Sequence, residues 1–506
     1  MNILTLFVVI PVLTVIAILF SKDMKQTRLI SAIGMGIQLI LAGILVYSYL
    51  GMRKAGITDE FLFYFDALWF KTLNIHYTIG VDGISVAMIA LTSIVVFAGV
   101  FASWTVETLH KEFFISLIVL ASGVFGFFIS LDLFTMFLFY EIAVIPMYLL
   151  IGIWGSGPKE YSAMKLTLML MAGSALLFVA ILGIYFYSAP AGGQLTFNLL
   201  EIAKNKIPIE MQRFLFPFAF IGFGILGALF PFHTWSPDGH ASAPTAVSML
   251  HAGVLMKLGG YGAFRVALYL LPEAAHEQAW IFLILTGISV VYGAFGAIAQ
   301  KDLKYINAYS SVSHCGLVLF ALLMLNQAAM NGAIIQMISH GLMTALFFAL
   351  IGMIYGRTHT RIVSEMGGLM KIMPFLGVCW VIAGMASLGL PGLSGFVAEM
   401  TIFIGSFQHT DTFHRFMTIL ATTSIVVTAV YILRVVGALL LGPVKNDHFL
   451  ELEDAKWYER LSTVTLILSI AAIGIAPLWL SDMIGFSLAP MVDKINSVTA
   501  SIAGIF

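Results

Sequence analysis

Apolar runs of roughly 20 residues recur along the whole chain and are separated by short polar segments. A run of that length is enough to cross about 30 Å of hydrocarbon as an α-helix. Helices are predicted at 3–20, 29–50, 81–103, 113–131, 133–153, 164–188, 212–232, 245–271, 277–299, 305–325, 329–355, 374–407, 415–440 and 461–481. The pattern therefore predicts an all-α, polytopic membrane protein with about fourteen transmembrane helices.

The charges between the runs predict the orientation of the chain. No basic residue precedes the first apolar run, whereas Lys22, Lys25 and Arg28 follow it. That order is the reverse of a signal peptide and predicts a retained first helix whose C-terminal end is cytoplasmic. With the N-terminus outside, about 13 Lys and Arg fall in cytoplasmic loops and about 8 in external ones. With this orientation, the longer loops at 51–80 and 189–211 are external and the loop at 441–460 is cytoplasmic. Residues 482–506 are predicted to form a weakly amphipathic tail that lies on the membrane or against a neighbouring chain.

Two of the predicted helices contain proline and glycine at membrane depth. The seventh contains GALFPFHTWSPDGH at 227–240, and the twelfth contains GLPGLSGFVAE at 389–399. Such breaks are tolerated where the freed backbone groups face protein or water, and paired breaks in two halves are typical of inverted-repeat transporters. We therefore expect helices 4–8 and 9–13 to be related repeats. The predicted units are 1–112 (helices 1–3), 113–271 and 272–440 (the two repeats), and 441–506 (loop, helix 14 and tail).

Composition narrows the possible functions. The chain is 60% hydrophobic and 10% charged, with a net charge of −1 and a mean hydropathy of +1.00, whereas soluble domains carry about 25% charged residues. No segment is basic enough for a nucleic-acid surface. No P-loop, Gly-rich dinucleotide fingerprint or CxxCH motif occurs, so neither a nucleotide nor a redox cofactor is expected on this chain. Cys315 and Cys379 lie in apolar runs without a CxxC partner, so neither a disulfide nor a metal cluster is expected.

Three charged residues stand out inside the predicted helices, because a charge at the centre of the membrane costs roughly 2.5–3.5 kcal/mol on insertion scales. Glu141 lies in the middle of the fifth helix, Lys257 lies deep in the eighth, and Glu399 follows the second break. A structural interpretation exists for each one. Glu141 could be a protonated acid that fixes packing through a backbone carbonyl, and Lys257 and Glu399 could be held in structural pairs. The alternative is that they transfer protons.

Two histidines strengthen that alternative. His314 and His340 lie in two further helices, and each alone could equally be a packed core histidine. Together with Glu141, Lys257 and Glu399 they occupy five different helices, which predicts a row of titratable groups across the bundle. Burial and neighbouring charges shift the pKa of carboxyl and ammonium groups towards neutrality, and histidine starts near it.

Other polar residues point less clearly to function. His233 and His240 flank Asp238 at the first break, but a metal site is not expected there because the residues lie in a loop with no fourth ligand. An entry funnel or a capping role is expected instead. Four basic residues are interpreted simply as cytoplasmic loop charges: Lys301, Lys304, Arg357 and Arg361.

Several long motifs in order resemble the antiporter-like membrane subunits of proton-translocating NADH:quinone oxidoreductase (complex I), and the resemblance is strongest to the chain M family. They are YE at 140–141 with PMY at 146–148, PFHTWSPDGHASAPT at 231–245, AGVLMK at 252–257, AYSSVSH at 308–314 and LPGLSGFVAE at 390–399. The resemblance covers helices 4–13 strongly and the rest loosely. It implies a fourteen-helix fold with two inverted five-helix half-channels, broken helices 7 and 12, and a central polar axis.

The resemblance also implies roles for individual residues. Glu141 matches the helix-5 glutamate, Lys257 the central lysine, and Glu399 the exit-side glutamate. His314 and His340 match the connecting histidines. A glutamate at the second break favours chain M over its chain L and chain N relatives, which usually carry lysine there.

In the first half, one residue matches the family and two depart from it. Lys165, in AMKL at 163–166, matches a further helix-6 lysine of the family. The lysine that normally precedes Pro231 and pairs with the helix-5 glutamate is replaced by Leu226, and His251 stands where chain M relatives are usually apolar. In a regular helix, six residues separate His251 from Lys257 by roughly 9 Å and about 120°. His251 is therefore a candidate replacement for the missing lysine, placed between Glu141 and Lys257, or alternatively a histidine packed against the break.

The favoured function is redox-driven proton translocation, with Glu141, Lys165, His251, Lys257, His314, His340 and Glu399 as proton-transfer residues and no cofactor or metal on this chain. The chain would then be a subunit of an enzyme whose redox centres lie elsewhere. Expected partners are homologous antiporter-like chains on either side, membrane lipid, and quinone only through the complex, in a bacterial inner membrane. The alternatives are a subunit of a multi-subunit cation/proton antiporter and a structural membrane subunit that conducts nothing.

Overall fold

The structure, a computed structural model, describes residues 2–190 and 192–503, and those residues are helical apart from one β-hairpin and the connecting loops. The first half contains α1 (Leu6–Leu19), α2 (Met24–Lys54), α3 (Gly83–Ala102), α4 (His110–Ile129), α5 (Leu133–Trp154), α6 (Lys159–Phe186), α7a (Ile209–Leu226), α7b (Trp235–Ser242) and α8, which begins as Thr245–Leu250 and continues through Met256–Gly262. The second half contains α9 (Pro272–Ala299), α10 (Leu303–Leu322), α11 (Gln327–Thr358), α12a (Pro374–Ser387), α12b (Ser394–Ser406), α13 (Thr412–Leu440), α14 (Trp457–Ile475) and α15 (Leu478–Ala503). Short helical turns lie at Ile3–Thr5, Lys71–Leu73, Leu199–Ile202, Val363–Glu365, Leu369–Ile372 and Asp447–Glu451.

Ten of these helices are long and apolar enough to cross a membrane: α2 to α6, α7a, α9, α11, α13 and α14. The predicted all-α, polytopic class is confirmed. The other predicted spans correspond to α1, α8, α10 and the pair α12a–α12b, so the total of fourteen spans stays a prediction.

Among the ten apolar spans, α11 and α3 are the most deeply buried. Each of these helices contains an 18-residue stretch that is its most apolar part. In α11 94% of that stretch is buried and in α3 83%, whereas in α2, α6 and α13 only 39% is buried. A buried helix that is apolar on all sides belongs to the interior of a large bundle, while a half-buried one turns one face to lipid or to a neighbour. Groups carried by α11 are therefore shielded from the surface.

Both predicted breaks are present. The first separates α7a from α7b, and there the carbonyl of Ile225 accepts both Trp235 Nε1–H and the amide of Ala228, each at 3.1 Å. The amide of Phe230 donates to Ser289 Oγ at 2.7 Å. The second break separates α12a from α12b, and its glycines Gly389 and Gly392 have φ of 66° and 93°, which favour residues without a Cβ. Freed polar groups are thus satisfied inside the protein.

The eighth helix differs from the regular α-helix expected at 245–271. Two of its segments, His251–Leu255 and Ala263–Leu268, are π-helical. In the first one the amide of Met256 donates to the carbonyl of His251, five residues back. The 120° offset expected between His251 and Lys257 therefore does not apply, because a π-turn holds more residues than an α-turn.

The loop at 51–80 contains an element that the hydrophobic pattern did not predict, an antiparallel hairpin of β1 (Leu62–Phe70) and β2 (Ile75–Val81). The predicted tail is the long helix α15, which lies across the same end of the bundle as the hairpin. Its Ser487 Oγ accepts from the amide of Gly83 at 2.8 Å, and the carbonyl of Ile495 lies 3.0 Å from His276 Nε2. We call this end, with the hairpin and α15, the hairpin end, and the other the opposite end.

The predicted repeats correspond to α4–α8 and α9–α13. In each set the fourth helix is the broken one. The inverted relation between the sets and the four predicted units remain predictions.

Candidate functional site

Four of the predicted ionisable residues form one continuous row in the middle of the bundle. Lys257 Nζ lies 2.8 Å from His340 Nδ1, the rings of His340 and His314 are stacked with centroids 5.1 Å apart, and His314 Nδ1 lies 3.5 Å from Glu399 Oε1. The row therefore passes through α8, α11, α10 and α12b in that order. All four residues are more than nine-tenths buried, and charged groups in such a setting are kept for function or held in pairs.

The local shape of α8 directs Lys257 into this row. Its ammonium also donates to the carbonyl of Ala252, five residues back and inside the first π-helical segment. Gly253 on α8 and Gly341 on α11 face each other at this level, since a Cβ on Gly341 would lie 2.5 Å from the Gly253 carbonyl oxygen. Small residues let two membrane helices approach closely. This close approach brings the neighbouring His340 within hydrogen-bonding distance of Lys257.

Polar neighbours fix the two imidazole rings. Gln336 Nε2 lies 3.0 Å from His314 Nδ1, and Cys315 Sγ lies 3.8 Å from His340 Nδ1. Within the described part of the chain, the Nε2 atoms of His314 and His340 have no hydrogen-bond partner. Each ring thus turns its Nδ1 towards an end of the row, while its Nε2 is left without a hydrogen bond among the described residues.

A small cavity of about 10 Å³ adjoins Lys257 and is lined by Gly227, Met256, Cys315 and Met337 among others. That volume is close to the smallest that admits a single water molecule. The polar row is therefore tightly enclosed.

A second polar cluster lies beside the first break and includes the predicted residue Lys165. Lys165 Nζ pairs with Asp238 Oδ2 at 2.7 Å, and Tyr305 Oη donates to Asp238 Oδ1 at 3.1 Å. Lys165 and Asp238 keep 23% and 25% of their side-chain surface exposed. This cluster joins α6, α7b and α10 and retains access from outside the bundle.

His251 lies against the first break and not beside the helix-5 glutamate. Its ring is 4.4 Å from the ring of His240 and 5.2 Å from that of Trp235, measured between centroids. No nitrogen of His251 or His240 has a hydrogen-bond partner among the described residues. Leu226 is fully buried at the end of α7a.

Glu141 lies apart from the row. It is half-buried on α5 and within hydrogen-bonding reach of Ser174 on α6. Ile145, Tyr148 and Leu149, one and two turns further along α5, are exposed. No hydrogen bond or ion pair in the described part of the chain joins Glu141 to His251 or Lys257.

The three residues considered as a metal site at the first break do not converge. Asp238 is paired with Lys165, His240 contacts His251, and His233 packs against Tyr292 with ring centroids 5.0 Å apart. The structure gives these side chains other contacts.

Sequence reasoning missed a buried ion pair between Asp82 and Arg265. The two side chains are 0% and 1% exposed and their charged atoms are in direct contact. Next to them, Ser85 Oγ lies 2.8 Å from Tyr261 Oη. Lys257, Tyr261 and Arg265 follow one another at intervals of four on α8, which is the spacing of one helix face. That spacing was the available signal.

The interpretation of the opposite-end basic residues as simple loop charges was wrong for three of them. Lys304 is 4% exposed, and its Nζ donates to the carbonyl of Ala243 at 2.6 Å, just after the last residue of α7b. Arg361 Nη1 donates to the carbonyl of Ala241 at 2.8 Å. A cation at the C-terminal end of a helix satisfies its free carbonyls and the helix dipole. Arg357 pairs with Glu459 at 2.6 Å.

Comparison with known proteins places this geometry in context. The family described as "NADH:quinone oxidoreductase/Mrp antiporter, TM" matches residues 130–428. A chain 4-2 of NAD(P)H-quinone oxidoreductase from Synechocystis sp. is 37% identical over 445 residues, covering 87% of this chain and 78% of that one. NADH-quinone oxidoreductase subunit M from Rickettsia prowazekii is 32% identical over 495 residues, covering 97% and 99%.

Two solved structures share the fold. A chain of respiratory complex I from Thermus thermophilus superposes with a TM-score of 0.87 at 24% identity, covering 97% of this chain and 99% of that one. A chain of the Mrp complex from Dietzia sp. DQ12-45-1b superposes with a TM-score of 0.82 at 18% identity, covering 99% of each. At these identities the likeness concerns the fold alone.

Proposed function

Because the chain belongs to the family of NADH:quinone oxidoreductase and Mrp antiporter transmembrane subunits, we propose that it is the chain M membrane subunit of a respiratory NADH:quinone oxidoreductase and that protons cross it along the row from Lys257 to Glu399. The observation that carries the proposal is the arrangement of the four side chains. Lys257 is within hydrogen-bonding distance of one imidazole, and Glu399 lies next to the other.

The row permits a balanced relay. The Lys257 ammonium gives a proton to Nδ1 of His340, and His340 releases a proton from Nε2 towards Nε2 of His314. His314 then releases a proton from Nδ1 to the Glu399 carboxylate, which requires the Gln336 amide to turn its oxygen, in place of its NH2 group, towards that nitrogen. Each imidazole takes one proton on one nitrogen and loses one from the other, so it remains neutral after each passage. The 5.1 Å between the ring centroids is bridged by a ring rotation or by one water molecule.

Electron transfer in other subunits supplies the drive. A charge change next to this chain alters the free-energy difference between protonated Lys257 and protonated Glu399, because electrostatic interactions are strong in a poorly solvated interior. No redox step takes place on this chain in this proposal.

The cluster of Lys165, Asp238 and Tyr305 is the proposed entry group of the first half-channel. It is partly exposed and lies beside the break of α7. Lys304 and Arg361 hold the adjoining end of α7b through its carbonyls. The two predicted repeats would then provide an entry half around α7 and an exit half around α12.

The exposed apolar surface of this chain suits contacts with other membrane subunits. The exposed apolar face of α5 beside Glu141 suits a homologous antiporter-like chain on one side, and lipid covers the faces left free. Quinone would be reached only through the assembled complex, and we place that complex in a bacterial inner membrane.

Purification of the native assembly tests the proposal directly. Flavin and iron–sulfur subunits should copurify with this chain, and NADH oxidation should acidify the interior of inverted vesicles. If the chain instead copurifies with antiporter chains and exchanges Na⁺ for H⁺ without redox subunits, the antiporter alternative is correct. Coupled proton transport that is indifferent to replacement of Lys257 would favour the structural alternative.

A further inference from the structure

Three side chains of metal-ligand type meet in the loop between α12b and α13, outside the polar row. His409, Asp411 and His414 each offer one ligand atom, and these atoms all lie within 4.8 Å of one another. The side chains keep 26%, 51% and 24% of their surface exposed, so an ion from solution has access. The loop lies at the hairpin end, close to the turn that joins α10 to α11.

The fold holds this group in place. Asp411 caps α13, since its Oδ2 accepts the amide of His414 at 3.0 Å, and the same oxygen lies 2.7 Å from His414 Nδ1. The rings of His409 and His414 stack with centroids 4.3 Å apart and 13° between their planes. Both Nδ1 atoms therefore point towards one carboxylate.

The backbone fixes which nitrogen of His409 is free. His409 Nε2 lies 2.8 Å from the carbonyl oxygen of Met324 and 3.2 Å from Asn326 Nδ2. Because the Asn326 amide already donates to the carbonyl of Gly405 and the Met324 carbonyl only accepts, we assign the ring hydrogen to Nε2. In the neutral ring, Nδ1 then has a lone pair, and it lies 4.0 Å from Asp411 Oδ1. Two acceptors that face each other at this distance are stabilised by a cation between them.

A carbonyl that receives the N–H of the second ring nitrogen is also the usual outer partner of a metal-bound histidine, because it fixes the tautomer and the ring orientation. Hydrogen bonds of Asn326 hold the turn between α10 and α11, which contains Met324. Asn326 Oδ1 accepts the amide of Ala329 at 2.9 Å, and its Nδ2 donates to the carbonyl of Gly405 at 3.0 Å.

We propose that His409 Nδ1, the Asp411 carboxylate and His414 Nδ1 bind one divalent transition-metal ion of the Zn²⁺ type. Two imidazoles and one carboxylate suit Zn²⁺, Co²⁺ or Ni²⁺, whereas Mg²⁺ and Ca²⁺ require oxygen ligands. A tetrahedral ion with bonds of about 2.0–2.2 Å holds its ligand atoms about 3.4 Å apart. The distances of 2.7 Å and 4.0 Å to Asp411 lie on either side of that value, so small side-chain movements complete the site. The ion takes the place of the proton on His414 Nδ1, and Nε2 of the same ring takes up a proton from solvent, so the imidazole binds as a neutral ligand. Water takes the open position.

The test measures Zn²⁺ binding to the purified assembly after chelator treatment, using competition with a coloured Zn²⁺ indicator. Asp411→Asn removes the charge but keeps a residue that caps helices well, so the fold of the loop is preserved. His414→Gln removes the second imidazole. The wild-type assembly should bind one Zn²⁺ more per copy of this chain than either variant, or bind that ion at least about tenfold more tightly. His448→Ala, at an exposed histidine of the opposite end, is the matched control and should bind as the wild type does.

Co²⁺ supplies a second readout, because its visible absorption depends on ligand number and geometry. The wild-type spectrum should show bands of a four- or five-coordinate ion that are absent in Asp411→Asn. Equal Zn²⁺ stoichiometry and affinity in the wild type, Asp411→Asn and His414→Gln would overturn the proposal. So would a Co²⁺ spectrum that does not change between the wild type and Asp411→Asn.

Discussion

Lys257 is the residue on which most contacts of the polar row converge. Its ammonium donates to the carbonyl of Ala252 on its own helix and faces His340 Nδ1 at 2.8 Å. No carboxylate pairs with it among the described residues. Lys257 is therefore not held in place by an ion pair, which was the structural alternative for this residue.

Replacement of Lys257 tests the row at its first member. Lys257→Ala should lower quinone-coupled proton transport by about tenfold or more, since the first proton donor is lost, while the complex remains assembled. Lys257→Arg should not restore transport, because a guanidinium is not deprotonated in proteins. The proton-to-electron ratio in reconstituted vesicles is the measurement. Lys301→Ala, at an exposed loop lysine, is the control, and a normal ratio in Lys257→Ala would make the lysine purely structural.

His251 is a test of how the first half-channel works without the lysine that Leu226 replaces. Its ring contacts His240 and Trp235, so a proton on His251 can be shared with His240 but not directly with Glu141. His251→Leu should lower coupled transport by about tenfold, and His251→Gln, which keeps a polar group, should lower it less. Adding Leu226→Lys to His251→Leu should restore transport if the histidine replaces the lysine. Normal pumping by His251→Leu would show a packing role only.

Sequence reasoning picked out residues whose chemistry is rare in a membrane, and the structure brings four of them together. It missed residues for which a commoner explanation was at hand. Lys257, His314, His340 and Glu399 stood out because each is isolated in an apolar helix. Asp82 did not stand out, because an aspartate at the start of a helix is usually an N-cap. Asp82 is indeed such a cap, since its side chain accepts the amide of Ser85 at 2.9 Å. Which helices bring such residues together is decided by tertiary packing, so the separate position of Glu141 could not be read from its neighbours.

At the scale of elements, the close approach of α8 and α11 controls the geometry of the row. Gly341→Ala would place a Cβ 2.5 Å from the carbonyl oxygen of Gly253 and 2.9 Å from Leu91 side-chain atoms. The helices must then separate, at a cost of about 1–3 kcal/mol, and the contact between Lys257 and His340 lengthens. We expect a lower melting temperature of the assembly together with reduced proton transport.

Gly437→Ala on α13 is the matched control, because its added Cβ meets nothing within 4 Å. It should leave both measurements unchanged or raise stability slightly, as alanine favours a helix over glycine. Equal melting temperatures and equal transport in Gly341→Ala and the wild type would show that α8 and α11 can accommodate the added methyl group.

The pair of Asp82 and Arg265 links α3 to α8 next to the hairpin end. Asp82→Asn keeps a good cap for α3 but leaves the buried guanidinium without a counter-charge, which costs about 3–5 kcal/mol. Arg265 Nη1 also lies 3.0 Å from Met491 Sδ on α15, so α15 should loosen. Trypsin cleavage after Lys494 should therefore become faster in Asp82→Asn.

The double variant Asp82→Asn with Arg265→Met removes the unpaired charge and should return the cleavage rate towards that of the wild type. Unchanged cleavage in Asp82→Asn alone would show that the pair does not hold α15.

Helix positions followed from hydrophobicity, but departures from regular helices did not. Both breaks were visible as Pro and Gly at membrane depth. The π-helical segments of α8 were not, because no residue type marks them, and they reflect how α8 packs against its neighbours. The hairpin was missed because β1 is almost continuously apolar and exposed at Tyr64, Phe65, Leu68 and Trp69, so it lacks the alternation that predicts a half-buried strand.

At the scale of the whole molecule, the two ends differ in structure. The hairpin end carries β1, β2 and α15, and the opposite end carries the buried or paired cations Lys304, Arg357 and Arg361. The shared fold spans both ends, since the superposition on the Thermus thermophilus chain covers 97% of this one. The charge bias of the loops predicts that the hairpin end is external and the opposite end cytoplasmic. That orientation decides on which side the proposed entry cluster opens.

Thiol labelling of single cysteines in intact cells decides the orientation. Arg361 is a poor place for the label, because its side chain pairs with Asp302 at 3.1 Å and donates to Ala241. His359 lies in the same loop and is exposed, and Thr58 is exposed near the hairpin. The native Cys315 and Cys379 are buried, so they should contribute little background. We expect a membrane-impermeant reagent to label Thr58→Cys in intact cells and His359→Cys only after the membrane is opened. Labelling of His359→Cys from outside, with Thr58→Cys protected, would reverse the orientation and with it the proposed direction of proton movement.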